Sequence, residues 1–248
     1  MASLKHRQTV KLADTNVLKR KDITRELLLM WISRPEGFAF KAGQYCTIGS
    51  GGIERAYSIS SAPHEQDIEL FVELVPPPDG NLTPLIWDLH EDDTMTIRPR
   101  AKGVFTLKPK LPNQLLVATV TGVVPYISFL RDYLHNGREG HHFYVLQGAS
   151  YQDEFTYLDE LKQLAAEHPD LITYVPTVSR QAEEHNKGWT GETGRVNNIV
   201  QKYIDQFSLT PEDTLVYACG HPGMIEDVKE KLVPQGFKVE EERFWKQD

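Results

Sequence analysis

The sequence predicts two domains: an antiparallel β-barrel followed by an α/β domain built on a parallel sheet. Three observations predict it. The first hundred or so residues carry short runs of β-branched and aromatic residues separated by Gly and Pro turn signals. Beyond Pro112, strand-like and helix-like runs alternate. And 248 residues suffice for one large domain or two of ordinary size.

Taken in order, "ITRELLLMWISR" alternates in part and reads as a strand, and "EGFAFKAGQYCTIGS" places Gly43 before another. "RAYSISSAP", Arg55 to Pro63, has period two, with Ala56, Ser58 and Ser60 on one side and Tyr57 and Ile59 on the other. "IELFVELV" is a clean β run, and "TMTIRPR" and "GVFTLKP" read as further strands. Pro35-Glu36-Gly37, Gly51-Gly52, Pro76 to Gly80 and Pro109 mark the turns, and "TPLIWDLHEDD" reads as a short helix. The boundary falls in "PKLPNQ", dividing the chain into residues 1–110 and 111–248. In the second part, "NQLLVATVTG", "HHFYVLQGAS", "LITYVPTVS" and "DTLVYACG" are strands. Between and after them, "VPYISFLRDYLHN", "YLDELKQLAAEH", "RVNNIVQKYI" and "GMIEDVKEKLVPQG" are helices, the last capped at Gly236. That alternation is an open parallel sheet.

Composition narrows the function. Forty per cent hydrophobic and 25% charged residues are ordinary for a soluble protein. No apolar run is long enough for a transmembrane helix, and the N-terminus lacks the apolar core of a secretory signal, so a cytoplasmic protein with reduced thiols is expected. Cys46 and Cys219 are too few for a four-cysteine iron–sulfur cluster. Residues 1–110 hold 15 Lys and Arg against 14 Asp and Glu, whereas residues 111–248 hold 12 against 21. A net charge of −8 argues against nucleic acid as the partner. A local basic strip, "TIRPRAKGVFTLKPK", suggests an anionic ligand or an acidic partner; a solvated hairpin carries the same letters.

Two stretches carry chemistry. In "RAYSIS" a cation, an aromatic face and a small hydroxyl fall within four residues, although an ordinary barrel strand with a surface arginine reads the same way. "ATVTGVVPYISFLR" follows a strand and opens a helix, where unpaired N–H groups and the helix dipole face an anion.

A β-barrel followed by a nucleotide-type α/β domain, with these motifs in this order from "AGQY" to the C-terminus, resembles the ferredoxin–NADP(H) reductase family, its short bacterial members most closely. The resemblance implies FAD and NADP(H) as cofactors. Arg55 would hold a flavin phosphate, Tyr57 (with Ala56) would stack on the isoalloxazine, and Ser58 would lie near its N5. Backbone groups at Val72 and Leu74 would meet the pyrimidine edge of the flavin, and Gly80, Asn81, Leu82 and Thr83 the diphosphate. "KGVFT", with Gly103, Val104, Phe105 and Thr106, is similar to a second phosphate-binding segment. Thr121 and Gly122 match the pyrophosphate turn, although Val120 stands where the family has its first glycine. Arg180 and Arg195 match holders of a 2′-phosphate, with Ser150 in place of a third arginine. Cys219 and Gly220 would lie beside the nicotinamide, Glu242 near the same site, and Phe244 and Trp245 over flavin and adenine.

The activity implied is hydride transfer between NADPH and flavin, with single electrons passed to or from ferredoxin or flavodoxin; Ser58, Cys219 and Glu242 form the catalytic set, with no metal. Arg98, Arg100, Lys102 and Lys108 would dock the acidic carrier on a monomeric enzyme. A reductase serving an oxygenase, or a free-flavin or ferric reductase, shares these motifs; a non-catalytic flavin sensor would keep the flavin without its reduction by NADPH.

Overall fold

The computed structural model describes residues 11–108 and 110–243. Its first sheet is assembled from β1 (Ala13–Asp22), β2 (Leu27–Ile32), β3 (Tyr45–Ser50), β4 (Ile53–Ser58), β5 (Ile68–Glu73) and, after the short helix α1 (Thr83–Trp87), β6 (Thr94–Ile97). The order is β4-β3-β6-β1-β2-β5, and every pairing within it is antiparallel. The ends of the sheet approach each other where the Ser60 N–H and hydroxyl donate to the Glu69 carbonyl at 2.9 and 2.8 Å. The barrel is therefore nearly closed. Val17, Leu28, Met30, Ile48, Ile68 and Leu70 fill it and are almost fully buried.

The second sheet is parallel throughout. It is built from β7 (Asn113–Thr119), β8 (His142–Ala149), β9 (Ile172–Val178), the two-residue β10 (Glu192–Thr193), β11 (Thr214–Gly220) and β12 (Lys238–Arg243), in the order β10-β9-β8-β7-β11-β12. Four helices of ten to twelve residues cover it: α2 (Val124–His135), α3 (Leu158–Glu167), α4 (Val196–Gln206) and α5 (Pro222–Leu232). α4 and α5 pack on one face through Val196, Val200, Ile225 and Val228. On the other face Tyr126, Ile127, Phe129 and Leu130 of α2 share a core with Leu27, Leu29, Phe71 and Phe105 of the barrel half. One apolar core thus joins both sheets.

An ion cluster reinforces the join. Arg131 of α2 donates twice to Glu160 of α3, at 2.7 and 2.8 Å, and once to Glu69 of β5, at 2.9 Å. The Tyr157 hydroxyl donates to the other Glu69 oxygen at 2.7 Å. Glu69 is only 4% exposed, so these donors replace the water it has lost.

Three elements differ from the sequence expectation. "GVFTLKP" is not a strand: Gly103 takes φ +106°, and only an isolated bridge joins Lys102 to Tyr45. Phe105 instead plugs the join, 5.6 Å from the Tyr217 ring and 6.0 Å from Phe129. β1 was not anticipated, because outside Thr15 and Val17 its residues leave the core and it reads as polar. β12 was not anticipated either, because an edge strand written Lys-Val-Glu-Glu-Glu-Arg has no apolar alternation. The helix expected to end at Gly236 does so through a 3₁₀ turn, with Gly236 left-handed at φ +98°. No described helix is long and apolar enough to cross a membrane.

Candidate active site

β4 delivers Arg55, Ala56, Tyr57 and Ser58 to a cleft of about 430 Å³. Its other walls are Phe71, Glu73 and Val75 from the end of β5, the loop from Asp79 to Thr83, and Thr121 and Val124 from the α/β half. The loop is braced before any ligand arrives. The Thr83 hydroxyl donates to the Val75 carbonyl at 2.8 Å and accepts from the Val75 N–H at 3.0 Å. Gly80 fits where the chain doubles back: a Cβ there would lie 1.6 Å from the Val75 carbonyl oxygen. Arg55 is exposed in this cleft and donates to its neighbour's backbone carbonyl, that of Glu54, at 2.8 Å. The Glu54 carboxylate is held elsewhere, by a two-pronged bond from Arg98 at 2.9 and 3.0 Å. That bond lowers the Glu54 pKa. Among the described residues no carboxylate pairs with Arg55, so a guanidinium faces the cleft ready for an anion.

The second cleft, about 450 Å³, lies at the carboxyl ends of the parallel strands. Thr119 to Thr121 after β7, Gly148 to Ser150 after β8, Ser179 and Arg180 after β9, and Gly220 and His221 after β11 line it, with Arg195 and Asn197 at the start of α4. β7 has β8 on one side and β11 on the other, so the chain's direction of growth reverses there. Open α/β sheets bind ligands at that switch point. Gly220, at φ +123°, crosses β7 so closely that a Cβ would sit 2.3 Å from the Thr119 hydroxyl, which accepts from the His221 N–H at 2.9 Å. Gly122 passes β11 on the same terms, its would-be Cβ 2.2 Å from the Cys219 carbonyl oxygen. Val120 takes φ +39°, a left-handed backbone rare for a β-branched residue, and contributes to the cleft wall.

The two clefts share Glu73 and Thr121 and so form one continuous groove. Ser58, in the wall of the first cleft, donates its hydroxyl to Glu242 Oε2 at 3.4 Å, joining β4 to β12 across 184 residues. Burial pushes the Glu242 carboxyl up to about 7, against the stabilising hydrogen bond from Ser58. Cys219 pairs in register with Glu242. Its side chain is fully buried, and burial first, then the Glu242 charge, hold the thiol well above its usual range.

The remaining sequence-predicted residues fall in varied places. Val72 is buried in the ladder with β2, and the Leu74 N–H donates to the Glu26 carbonyl at 2.8 Å. Side chains one step out of phase, Phe71, Glu73 and Val75, face the groove; period two makes this a one-residue difference that sequence alone does not resolve. Gly103 to Thr106 face neither cleft: Val104 is 87% exposed and Phe105 is buried. Arg98 and Lys108 of the basic strip are paired, with Glu54 and Glu240, while Arg100 and Lys102 make no ion pair among the described residues. Phe244 and Trp245 lie outside the described residues. Sequence reasoning missed His221 and Asn197, which reach the groove only because strand ends converge, and did not single out Thr119 within the turn that it quoted.

Comparisons with known proteins agree with this geometry. A family model described as the oxidoreductase NAD-binding domain matches residues 116–230. A flavodoxin/ferredoxin–NADP reductase of Buchnera aphidicola is 29% identical over 234 residues, covering 86% of this chain and 87% of the relative. A ferredoxin–NADP reductase of Pseudomonas aeruginosa is 28% identical over 84% of this chain and 83% of the relative. The crystal structure of a ferredoxin NADP+ reductase from Neisseria gonorrhoeae with bound FAD and NADP superposes with a TM-score of 0.83, at 27% identity, over 96% of this chain and 100% of that one. The barrel, the parallel sheet with its switch-point cleft, and likeness along nearly the whole chain together make the protein similar to ferredoxin–NADP reductases, and residues 116–230 belong to the oxidoreductase NAD-binding domain family.

Proposed function

We propose that the chain is an FAD-dependent ferredoxin/flavodoxin–NADP(H) oxidoreductase, with residues 1–110 holding the flavin and residues 111–248 the nicotinamide nucleotide. The observation that carries this reading is the continuous groove: a cleft with an unpaired arginine, an aromatic face and a hydroxyl runs into a switch-point cleft edged by arginines. The residues present fit both groups. Arg55 offers planar donors to a phosphate, and the backbone at Gly80 to Leu82 lies alongside it in the cleft wall. Tyr57, half-buried on a braced strand, offers a ring face for stacking. The glycine at Gly220 and the loop at Thr121 would let backbone approach a dinucleotide, and Arg180 and Arg195, which line the same cleft, would supply cations to a 2′-phosphate.

Bound there, FAD supplies a ring that exchanges a hydride with the nicotinamide and single electrons with a carrier protein. The chain's own residues bring the partners together and manage protons. Ser58 holds a hydroxyl in the wall of the first cleft, and Glu242, with a pKa near neutrality, holds or releases a proton against it. Cys219 contributes a small apolar packing surface and no nucleophile, since its thiol stays protonated. The carrier, a ferredoxin or a flavodoxin, docks by charge on Arg100 and Lys102, and the enzyme acts as a monomer.

The test is flavin retention. Arg55→Ala should elute from gel filtration with most of its FAD lost, while the unaltered chain keeps it. Equal retention by both would remove Arg55 from the flavin site.

A further inference from the structure

Arg180, in the wall of the second cleft, stands beside an acidic residue that a 2′-phosphate site does not call for. Glu183 follows Arg180 by one turn, its N–H donating to the Arg180 carbonyl at 3.0 Å. Arg180 Nη1 donates to the Tyr151 hydroxyl at 2.7 Å, and that hydroxyl donates to Glu183 Oε2 at 2.6 Å. The guanidinium stands 5.2 Å from the Tyr151 ring centre and 3.8 Å from Glu183 Oε1. Arginine, tyrosine and glutamate thus form a closed triangle at the cleft edge.

The triangle is held in place from below. Buried Asn186 donates to the Ser150 carbonyl at 2.9 Å and to the Arg180 carbonyl at 3.0 Å, and accepts from the Gln152 N–H at 2.8 Å. The loops after β8 and β9 therefore act as one piece. Glu154 Oε2 accepts from both the Ser150 and Tyr151 N–H groups, at 2.7 and 3.1 Å. No free backbone donor is left at those two positions for a phosphate.

A nucleotide ribose with a free 2′-hydroxyl is recognised by a carboxylate, which accepts its hydrogen bond, whereas a 2′-phosphate is recognised by arginine and repelled by a carboxylate. This chain presents both groups on a single turn. We propose that Glu183 is a specificity-determining residue that accepts from the ribose 2′-hydroxyl of NADH and competes with the 2′-phosphate of NADPH for Arg180 and Tyr151, so that the site takes both nucleotides. The inference rests on the reading of this cleft as the nicotinamide-nucleotide site.

The test is calorimetric titration of the flavin-loaded protein with adenosine 2′,5′-bisphosphate and with adenosine 5′-monophosphate, alongside KM for NADPH and NADH. Glu183→Gln should bind the bisphosphate about twofold to fivefold more tightly, a range suited to one exposed charge pair. It should bind the monophosphate more weakly and raise KM for NADH. Arg180→Gln should weaken the bisphosphate and spare the monophosphate. If Arg180→Gln does so but Glu183→Gln changes neither ligand, or tightens both equally, Glu183 has no part in selection and the inference falls alone. If Arg180→Gln also leaves the bisphosphate unchanged, the placement of the 2′-phosphate falls, and the inference with it.

Discussion

Glu242 shows how one buried group sets a pH response. Its carboxyl ionises near 4.5 in an unfolded chain and at about 7 in the fold, because burial penalises the charge more than Ser58 relieves it. Between those values the unfolded chain has released a proton that the folded chain keeps. Stability contributed by this residue therefore falls as pH rises from about 4.5 to about 7, and levels off above that. Glu242→Gln should flatten that part of the stability profile, measured by urea unfolding at stepped pH; an unchanged slope would show that Glu242 titrates normally. At this scale the sequence was informative where chemistry and local pattern coincide. Arg55, Tyr57 and Ser58 were legible because their spacing on a strand is itself the signal, and all three line the groove. The side chains of Phe71, Glu73 and Val75 in the cleft wall were not, since "IELFVELV" is apolar on both sides of the strand.

Among elements, the contact between α2, α3 and β5 carries a stability prediction. Glu69 is buried with two partner groups on its carboxylate, and removing it leaves Arg131 and Tyr157 facing each other without it. Glu69→Ala should destabilise the protein by about 3 kcal/mol, the usual consequence of breaking a buried pair, seen as a lower urea midpoint. Replacing Arg131 as well should cost less than the sum of the two single changes, and strict additivity would contradict the coupling. The parallel strands from β7 to β9 and β11 were readable from their apolar runs, as were the helices between them, because strand and helix periods differ. β1 and β12 escaped because long-range pairing, not local pattern, makes them strands: β1 lies between β2 and β6, and β12 is held by β11 alone. The "GVFT" segment misled for the opposite reason. Its β-prone letters serve a plug, with Phe105 driven into the core shared by both halves.

For the whole molecule, the two halves differ in charge as they differ in role. The first is nearly neutral and carries the basic strip, while the acidic excess lies in the second. Since Arg98 and Lys108 are already paired, the positive charge of the strip that makes no ion pair among the described residues is at Arg100 and Lys102. Changing both to Glu should raise KM for an acidic carrier protein at least about threefold at low salt, less at high salt, and leave reduction of a small uncharged acceptor unaltered. Equal losses with both acceptors would place the effect on folding or flavin binding instead. The division into a barrel half and a parallel-sheet half was legible, because each half has its own periodicity; the way the halves share one core was not, because Phe71, Phe105 and Phe129 meet only in three dimensions. The central claim is that this groove brings a nicotinamide nucleotide to a flavin. Its most direct test is an anaerobic absorbance titration of the purified, flavin-loaded protein with NADPH. The account predicts that the visible band of the oxidised flavin bleaches in proportion to NADPH added; a flavin that stays oxidised in excess NADPH would contradict it.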